Sequence, residues 1–328
     1  MAQIYSPNIT NDGLILGLDA ESVRSYSGTG TNWTDLSPKN YPNVDMNNNM
    51  SAASNYVAAT SSSPAYFEFT DNYSDPNHIE YFELGVDAIG TDGVTPKTGT
   101  FELWFYATGP VRVFGVSKAV SEDLNQEFVV SIGTHTYANW NAPSFDRVDV
   151  PTYLAGPRSF DNVDRFNPTY SRPATDVYYN EDGTMVPYSS FGTTESSVET
   201  AILATGRNFQ PLLNQWVHLA ITYEAGTTID WLNNVDGPGS NEYGMMGGPP
   251  TIWYINGKKR IKCYDAEPTW DLSGSTNSFR IGSSEQHAGT GSGTGNHTRI
   301  SQFRMYNRIL SESEVSSNYN ALKRRYGH

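Results

Sequence analysis

The chain has 328 residues and a formal net charge of −14, from 21 lysines and arginines against 35 aspartates and glutamates. This acidic excess argues against nucleic acid and anionic membranes as partners, because both are bound through clustered cations. Hydrophobic residues make up 37% and charged residues only 17%, which excludes a disordered polyelectrolyte and predicts a folded chain.

The distribution of turn-forming residues indicates the fold class. The 29 glycines and 18 prolines are dispersed along the whole sequence, which favours an all-β fold. The single cysteine, Cys263, excludes an intramolecular disulfide and predicts assembly in a reducing cytoplasm. Neither a signal peptide nor an apolar run of membrane-spanning length is visible, so no membrane partner is expected.

The first part of the chain predicts a polar arm followed by strands. Residues 1–12 form the arm, and a long polar loop after the first strand carries Trp33 and Leu36 as expected anchors onto the core. The segment at 100–106 is apolar on both faces, which is typical of a central strand. The strands predicted here are 14–18, 66–69, 100–106, 111–116 and 128–132.

Regular alternation stops at about 138–197, which we interpret as a long ordered insertion. Its many prolines break periodicity, and its aromatic side chains are too numerous for a disordered linker. Two interpretations stay open: the rings fix the loop to the body, or they contact a partner or another copy. The candidate contact residues are Trp140, Phe145, Tyr153, Phe160, Phe166 and Tyr170.

The last third of the chain predicts more strands and one helix. Alternation over 215–223 indicates a strand, a second insertion follows at about 230–250, and Asn256-Gly257 within 251–264 indicates a hairpin. Strands are expected at 279–282 and 300–306. A helix follows them, with Ser311 and Glu314 as a capping box and Leu310 and Val315 at the staple positions.

Four blocks of sequence resemble the laminin-G-like, concanavalin-A-like jelly-roll superfamily, in the variety common in bacteriophage structural proteins. They are GLILGLDA at 13–20, TFELWF at 100–105, NQWVHLAITY at 214–223 with WYINGK at 253–258, and FRIG at 279–282 with ISQFRMYNRILS at 300–311. The resemblance implies one jelly-roll β-sandwich domain over 13–328, with the two insertions and a short C-terminal helix. Fold resemblance alone does not establish function.

The sequence contains no recognisable catalytic array, so no enzyme is expected. Glycoside hydrolases of this fold place paired carboxylates on alternate residues of one strand. The acidic pairs here, Glu122-Asp123 with Glu127 and Glu80 with Glu83, have the wrong spacing. His218 lies between two apolar residues of a predicted strand and is expected in the core or on a sheet face.

No cofactor is required by the sequence, but calcium stays open. Lectin-like jelly rolls often bind calcium at a rim loop through carboxylates and carbonyls. Candidate ligands are Asp87, Asp92, Asp230 and Asp236, with solvated loop acids as the alternative. Related proteins often have an acidic residue where this chain has Gln302, which weakens the inheritance of such a site.

Aromatic residues beside amides in the second insertion are candidates for a sugar site, which would need rings exposed for stacking. The candidates are Trp231, Asn233, Asn234, Asn241 and Tyr243, for which packing or subunit contacts are the alternative. From the resemblance we expect a non-catalytic structural or accessory protein on a phage particle, as capsid decoration, head fibre or tail component. It would assemble in the host cytoplasm, sit on the virion surface, and contact other virion proteins and copies of itself. The alternative is a carbohydrate-binding adhesin for host glycans, with or without calcium.

Overall fold

The computed structural model describes thirteen segments of the chain. They are residues 9–40, 44–71, 80–84, 98–108, 111–118, 126–132, 151–155, 177–179, 185–187, 214–224, 251–263, 277–282 and 296–328. Within them the chain forms two antiparallel sheets that enclose an apolar core, which confirms the predicted all-β sandwich.

The larger sheet holds ten strands in the described part of the chain. They are β1 (Leu14–Asp19), β3 (Tyr56–Val57), β4 (Tyr66–Asp71), β6 (Thr98–Ala107), β10 (Val177–Tyr179), β11 (Met185–Pro187), β12 (Trp216–Glu224), β13 (Thr251–Ile255), β14 (Lys258–Cys263) and β16 (Asn296–Tyr306). Their order in the sheet is β11-β10-β14-β13-β12-β6-β16-β4-β3, with β1 also paired to β16.

The smaller sheet holds six strands in the described segments. They are β2 (Val44–Met46), β5 (Tyr81–Leu84), β7 (Val111–Lys118), β8 (Gln126–Ile132), β9 (Pro151–Ala155) and β15 (Asn277–Gly282). Their order in the sheet is β2-β5-β15-β7-β8-β9. In the described segments, helical structure comprises α1 (Ala52–Asn55), α2 (Glu312–Leu322) and a terminal 3-10 turn (Lys323–Tyr326).

The predicted insertion at 138–197 differs from expectation in one respect, since it contributes strands to both sheets. β9 pairs with β8 in the smaller sheet, whereas β10 pairs with β14 in the larger one. These strands are only three to five residues long, which is too short for alternation to reveal them in the sequence.

The core lies between the sheets and combines aliphatic side chains with packed aromatic rings. Trp33 is fully buried and contacts Phe67 and Phe82 with ring centroids 4.7 and 5.0 Å away. It is therefore an anchor, as predicted, for the long loop after β1. Alternation on β6 sends Phe101, Leu103 and Phe105 inward, so Thr100, Glu102, Trp104 and Tyr106 lie on the opposite, outer face of the larger sheet.

Strand β16 pairs with three strands of the larger sheet, one along one edge and two along the other. Residues 298–306 pair with β6, while the other edge pairs with β4 in its first half and with β1 in its second. A register shift between Ile300 and Gln302 separates the two halves. Bulges of this kind re-aim side chains and increase twist.

Helix α2 begins at the predicted capping box and packs on the outer face of the larger sheet. The Ser311 side chain accepts from the Glu314 amide, and the Glu314 carboxylate accepts from the Ser311 amide. Leu310 and Val315 are fully buried beside Tyr254 and Tyr306. None of the helices in the described segments has the length and apolar character that crossing a membrane requires.

Candidate functional site

The outer face of the larger sheet has two regions that differ in their exposure to solvent. One lies under α2 and the terminal 3-10 turn, and its side chains are buried. The other lies at the opposite end of the same strands, where side chains of β12, β6, β16 and β4 are partly exposed. Because a ligand reaches its site from solvent, a binding site on this face is expected in the second region.

In this open region, strand register lines up four side chains across four strands. Trp216 of β12 pairs with Tyr106 of β6, Tyr106 pairs with Arg299 of β16, and Arg299 pairs with Glu68 of β4. Tyr66 joins them from the same face of β4, two residues before Glu68. We call these five residues the aromatic row.

Ring contacts and one ion pair hold the aromatic row together. The Trp216 ring lies 5.8 Å from the rings of both Tyr66 and Tyr106. The Arg299 guanidinium lies over the same two tyrosines, 5.0 and 4.9 Å from their centroids. Its Nε donates to Glu68 Oε1 at 2.7 Å. These contacts already restrict the side chains, so they lose little conformational freedom when a ligand binds.

The row is partly buried yet reachable from solvent. The side chains of Arg299 and Glu68 are 30% and 26% exposed, and Tyr106 and Trp216 are half-buried. Burial raises the pKa of the Tyr66 hydroxyl above its ordinary value. Burial alone would lower the pKa of Arg299, but its hydrogen bond and proximity to Glu68 outweigh this and raise it.

This arrangement offers two kinds of binding group on one rigid surface. The aromatic rings offer apolar area, and the ion pair places hydrogen-bond donors beside carboxylate acceptors. Small-molecule sites combine apolar or aromatic lining with a few fixed polar groups in this way. The row is therefore the candidate functional site among the described residues.

The covered region holds a buried polar cluster centred on Glu102. Its carboxylate accepts from His218 Nε2 at 2.8 Å, Arg304 Nη1 at 3.3 Å, the Tyr306 hydroxyl at 3.2 Å and Asn318 Nδ2 at 3.0 Å. Burial opposes ionisation, but the bond and charge of His218, the charge of Arg304 and the bond from Asn318 hold the pKa of Glu102 below its usual range.

The Glu102–His218 pair has the composition of an acid–base dyad but not its accessibility. Both side chains are 0% exposed, and α2 covers them. The prediction that His218 lies in the core or on a sheet face is confirmed. A fully covered pair of this kind serves to position the elements around it, here α2 against β6 and β12.

Gln302 extends the covered cluster towards β1. Its amide Nε2 donates to Asp19 Oδ2 at 2.6 Å, and its Oε1 accepts from Arg304 Nη2 at 2.7 Å. Asp19 also accepts from Arg325 Nη1 at 3.0 Å. An amide that both donates and accepts is required at this position, and an acidic residue could not donate to Asp19.

All of the predicted site residues except Tyr153 lie outside the described residues. This holds for the calcium candidates Asp87, Asp92, Asp230 and Asp236, and for the sugar candidates Trp231, Asn233, Asn234, Asn241 and Tyr243. It also holds for the contact candidates Trp140, Phe145, Phe160, Phe166 and Tyr170, while Tyr153 lies in β9. In the described segments, no group of three or more His, Cys, Asp or Glu side chains could hold a metal ion.

Sequence reasoning missed the aromatic row, although part of its signal was visible. Alternation on the strands at 100–106 and 215–223 puts Tyr106 and Trp216 opposite to core-facing residues. Arg299 falls just before the predicted strand at 300–306, and nothing local indicates that β6, β12, β16 and β4 are neighbours. The row is a product of strand order and register.

Comparison with known proteins gives structural likeness alone. No protein-family model and no curated protein matches the chain. A structure concerning the cell entry of botulinum neurotoxin type C and its interaction with two ganglioside molecules is 13% identical, with a TM-score of 0.44, covering 95% of this chain and 52% of that chain. The binding domain of botulinum neurotoxin DC in complex with rat synaptotagmin II is 12% identical, with a TM-score of 0.45 and the same two coverages, 95% and 52%.

A Trypanosoma rangeli sialidase in complex with the inhibitor DANA is 15% identical, with a TM-score of 0.41, covering 95% of this chain and 33% of the sialidase. The chain thus spans about half the length of the toxin structures and about a third of the sialidase. Likeness at this level says nothing of what this chain binds, and the expected relation to bacteriophage virion proteins stays a prediction.

Proposed function

We propose that the chain is a non-catalytic, carbohydrate-binding β-sandwich protein that binds sugars on the aromatic row. The observation that carries this proposal is the register of Trp216, Tyr106, Arg299 and Glu68, which lines up two aromatic rings and an ion pair on a partly exposed sheet face. A sugar ring has apolar C–H faces and a polar rim of hydroxyls, so it matches aromatic rings flanked by fixed donors and acceptors.

The composition of the row supports binding rather than hydrolysis. Glycoside hydrolysis uses two carboxylates on either side of the scissile bond. The row contains a single carboxylate, Glu68, and that carboxylate accepts a hydrogen bond from Arg299 at 2.7 Å. The Glu102 carboxylate on the same sheet face is fully buried. We therefore propose binding without turnover.

Glycan-array screening of the full chain, followed by calorimetry on the best ligand, tests the proposal. Trp216→Ala and Tyr106→Ala should each weaken binding about tenfold or more, because each removes one ring of the platform. Tyr81→Ala is the matched control, since Tyr81 lies on the smaller sheet with Arg280 4.2 Å from its ring centroid. Unchanged affinity in folded Trp216 and Tyr106 variants would overturn the proposal.

The sequence resemblance supports a more specific setting for this binding. We propose that the protein acts on the surface of a phage particle, assembled in the host cytoplasm beside other virion proteins and copies of itself, with host glycans as ligands. Immunogold labelling of purified particles with antibody against this chain tests it, and absence of label from intact particles would contradict it.

A further inference from the structure

We propose that the aromatic row selects uncharged sugars that carry neighbouring hydroxyl groups, and discriminates against acidic sugars. This inference rests on the proposed function and names its ligand class. It follows from the groups that surround the charged guanidinium of Arg299.

The Arg299 guanidinium already contacts an anion and two aromatic rings within the protein. Its Nε lies 2.7 Å from Glu68 Oε1, and its planar group lies over the rings of Tyr66 and Tyr106 at 5.0 and 4.9 Å. An acidic sugar that approached the remaining guanidinium N–H groups would also approach the Glu68 carboxylate. At separations of this size, the repulsion between like charges offsets the attraction.

The charge of the whole chain acts in the same direction. The formal net charge is −14, so the long-range field disfavours approach of polyanionic glycans at low ionic strength. Arg325, the residue before Tyr326 in the terminal 3-10 turn, is also engaged in ion pairs, since it lies 3.0 Å from Asp19 and 2.9 Å from Glu21.

The same ion pair fits a pair of neighbouring hydroxyls. A guanidinium N–H donates to one hydroxyl oxygen, while a carboxylate oxygen accepts from the other hydroxyl, and both groups are charged, which strengthens each bond. The rings of Tyr106 and Trp216 are then placed to contact the apolar face of the same or the next sugar unit. Neutral polysaccharides and oligosaccharides supply both features.

Paired ligands that share a sugar backbone but differ in charge test the inference. The probes are dextran against dextran sulfate, and methyl-esterified against free polygalacturonate, measured by affinity electrophoresis and calorimetry with the full chain at two salt concentrations. Wild-type protein should bind the neutral member of at least one pair about tenfold or more tightly than the acidic member. Glu68→Gln, which frees the Arg299 charge at nearly constant shape, should reduce this preference about tenfold.

Glu83→Gln is the matched control, because Glu83 lies 3.8 Å from Arg280 on the smaller sheet and should leave the preference unchanged. Equal or tighter binding of the acidic members by wild-type protein, lost in Trp216→Ala, would overturn the inference and leave the proposed function standing. Absence of binding to any glycan, in these pairs and on arrays, would instead overturn the proposed function itself. The wild-type comparison decides the inference even where Glu68→Gln fails to fold.

Discussion

Tyr326, in the last turn of the chain, stacks on Trp104 in the middle of the larger sheet. The ring centroids are 3.9 Å apart and the planes are 9° from parallel. Trp104 is fully buried and Tyr326 is 5% exposed, so each ring covers the other from water. The Tyr326 ring also lies 5.3 Å from Trp216, which places the end of the chain at the border of the aromatic row.

Tyr326→Ala should destabilise the protein by about 3 kcal/mol, because it removes a buried ring whose centroid lies 3.9 Å from that of Trp104, whereas the other ring stacked on Trp104, Tyr319, lies 5.7 Å away. Urea unfolding of the full chain, followed by tryptophan fluorescence, measures the loss. Arg324→Ala is the control, since Arg324 is exposed in the same turn and its change should stay within about 0.5 kcal/mol. Equal losses in the two variants would contradict the stacking argument.

Glu102→Gln should be strongly destabilising, by about 3 kcal/mol, since it leaves the Arg304 charge buried without its carboxylate. The comparison variant is Glu68→Gln, which alters a half-buried ion pair and should cost less than about 1 kcal/mol. Chemical denaturation at pH 7 gives both values. A smaller loss at Glu102 than at Glu68 would mean that the covered cluster does not hold α2 in place.

Acid should unfold the protein through carboxylates whose pKa values are depressed by folding. The hydrogen bond from Arg308, at 2.6 Å, is the largest influence on Glu314, and together with those from Ser311 it holds the pKa of Glu314 at about 2 against the opposing effect of burial. The partners of Glu102 lower its pKa also. The unfolded chain therefore binds more protons than the folded chain at acidic pH. The stability that the depressed pKa of Glu314 contributes is fully present above about pH 4.5, and it is lost as the pH falls towards 2.

Unfolding free energies measured between pH 7 and pH 2 test this dependence. Glu314→Gln should lower stability at pH 7 and flatten the acid branch of the curve, because the variant no longer takes up that proton on unfolding. Glu312→Gln is the control at an exposed position of the same first turn. A curve of unchanged slope in the Glu314 variant would show that other groups carry the acid sensitivity.

Gly257→Ala should destabilise the β13–β14 hairpin and the helix packed on it. Gly257 has φ +74°, and an added Cβ would lie 2.8 to 2.9 Å from side-chain atoms of Tyr319 on α2. Both the backbone and the helix would have to shift, for which we expect a loss of about 2 kcal/mol or more. Thermal unfolding measures it, with Gly30→Ala as control, because Gly30 also has positive φ but open space around it.

Local signals in the sequence predicted the elements of this fold well. Asn256-Gly257 predicted the hairpin, and Ser311 with Glu314 predicted the start of α2, because each motif acts within a few residues. The Glu102 cluster could not be predicted in this way. Its partners His218, Arg304 and Asn318 are 116, 202 and 216 residues away along the chain. Alternation assigns a residue to a face but does not identify the neighbouring strand.

Binding through the aromatic row should not require calcium, which separates it from the loop site predicted in the second insertion. The row supplies one carboxylate, and Arg299 already neutralises it, so a cation has no favourable place there. Glycan affinity measured by calorimetry should therefore be the same in calcium and in excess chelator. Asp230→Ala and Trp231→Ala should leave it unchanged, whereas Trp216→Ala should weaken it about tenfold. Loss of affinity in chelator together with loss in Asp230→Ala would assign the glycan to the second insertion and remove the row from the binding surface.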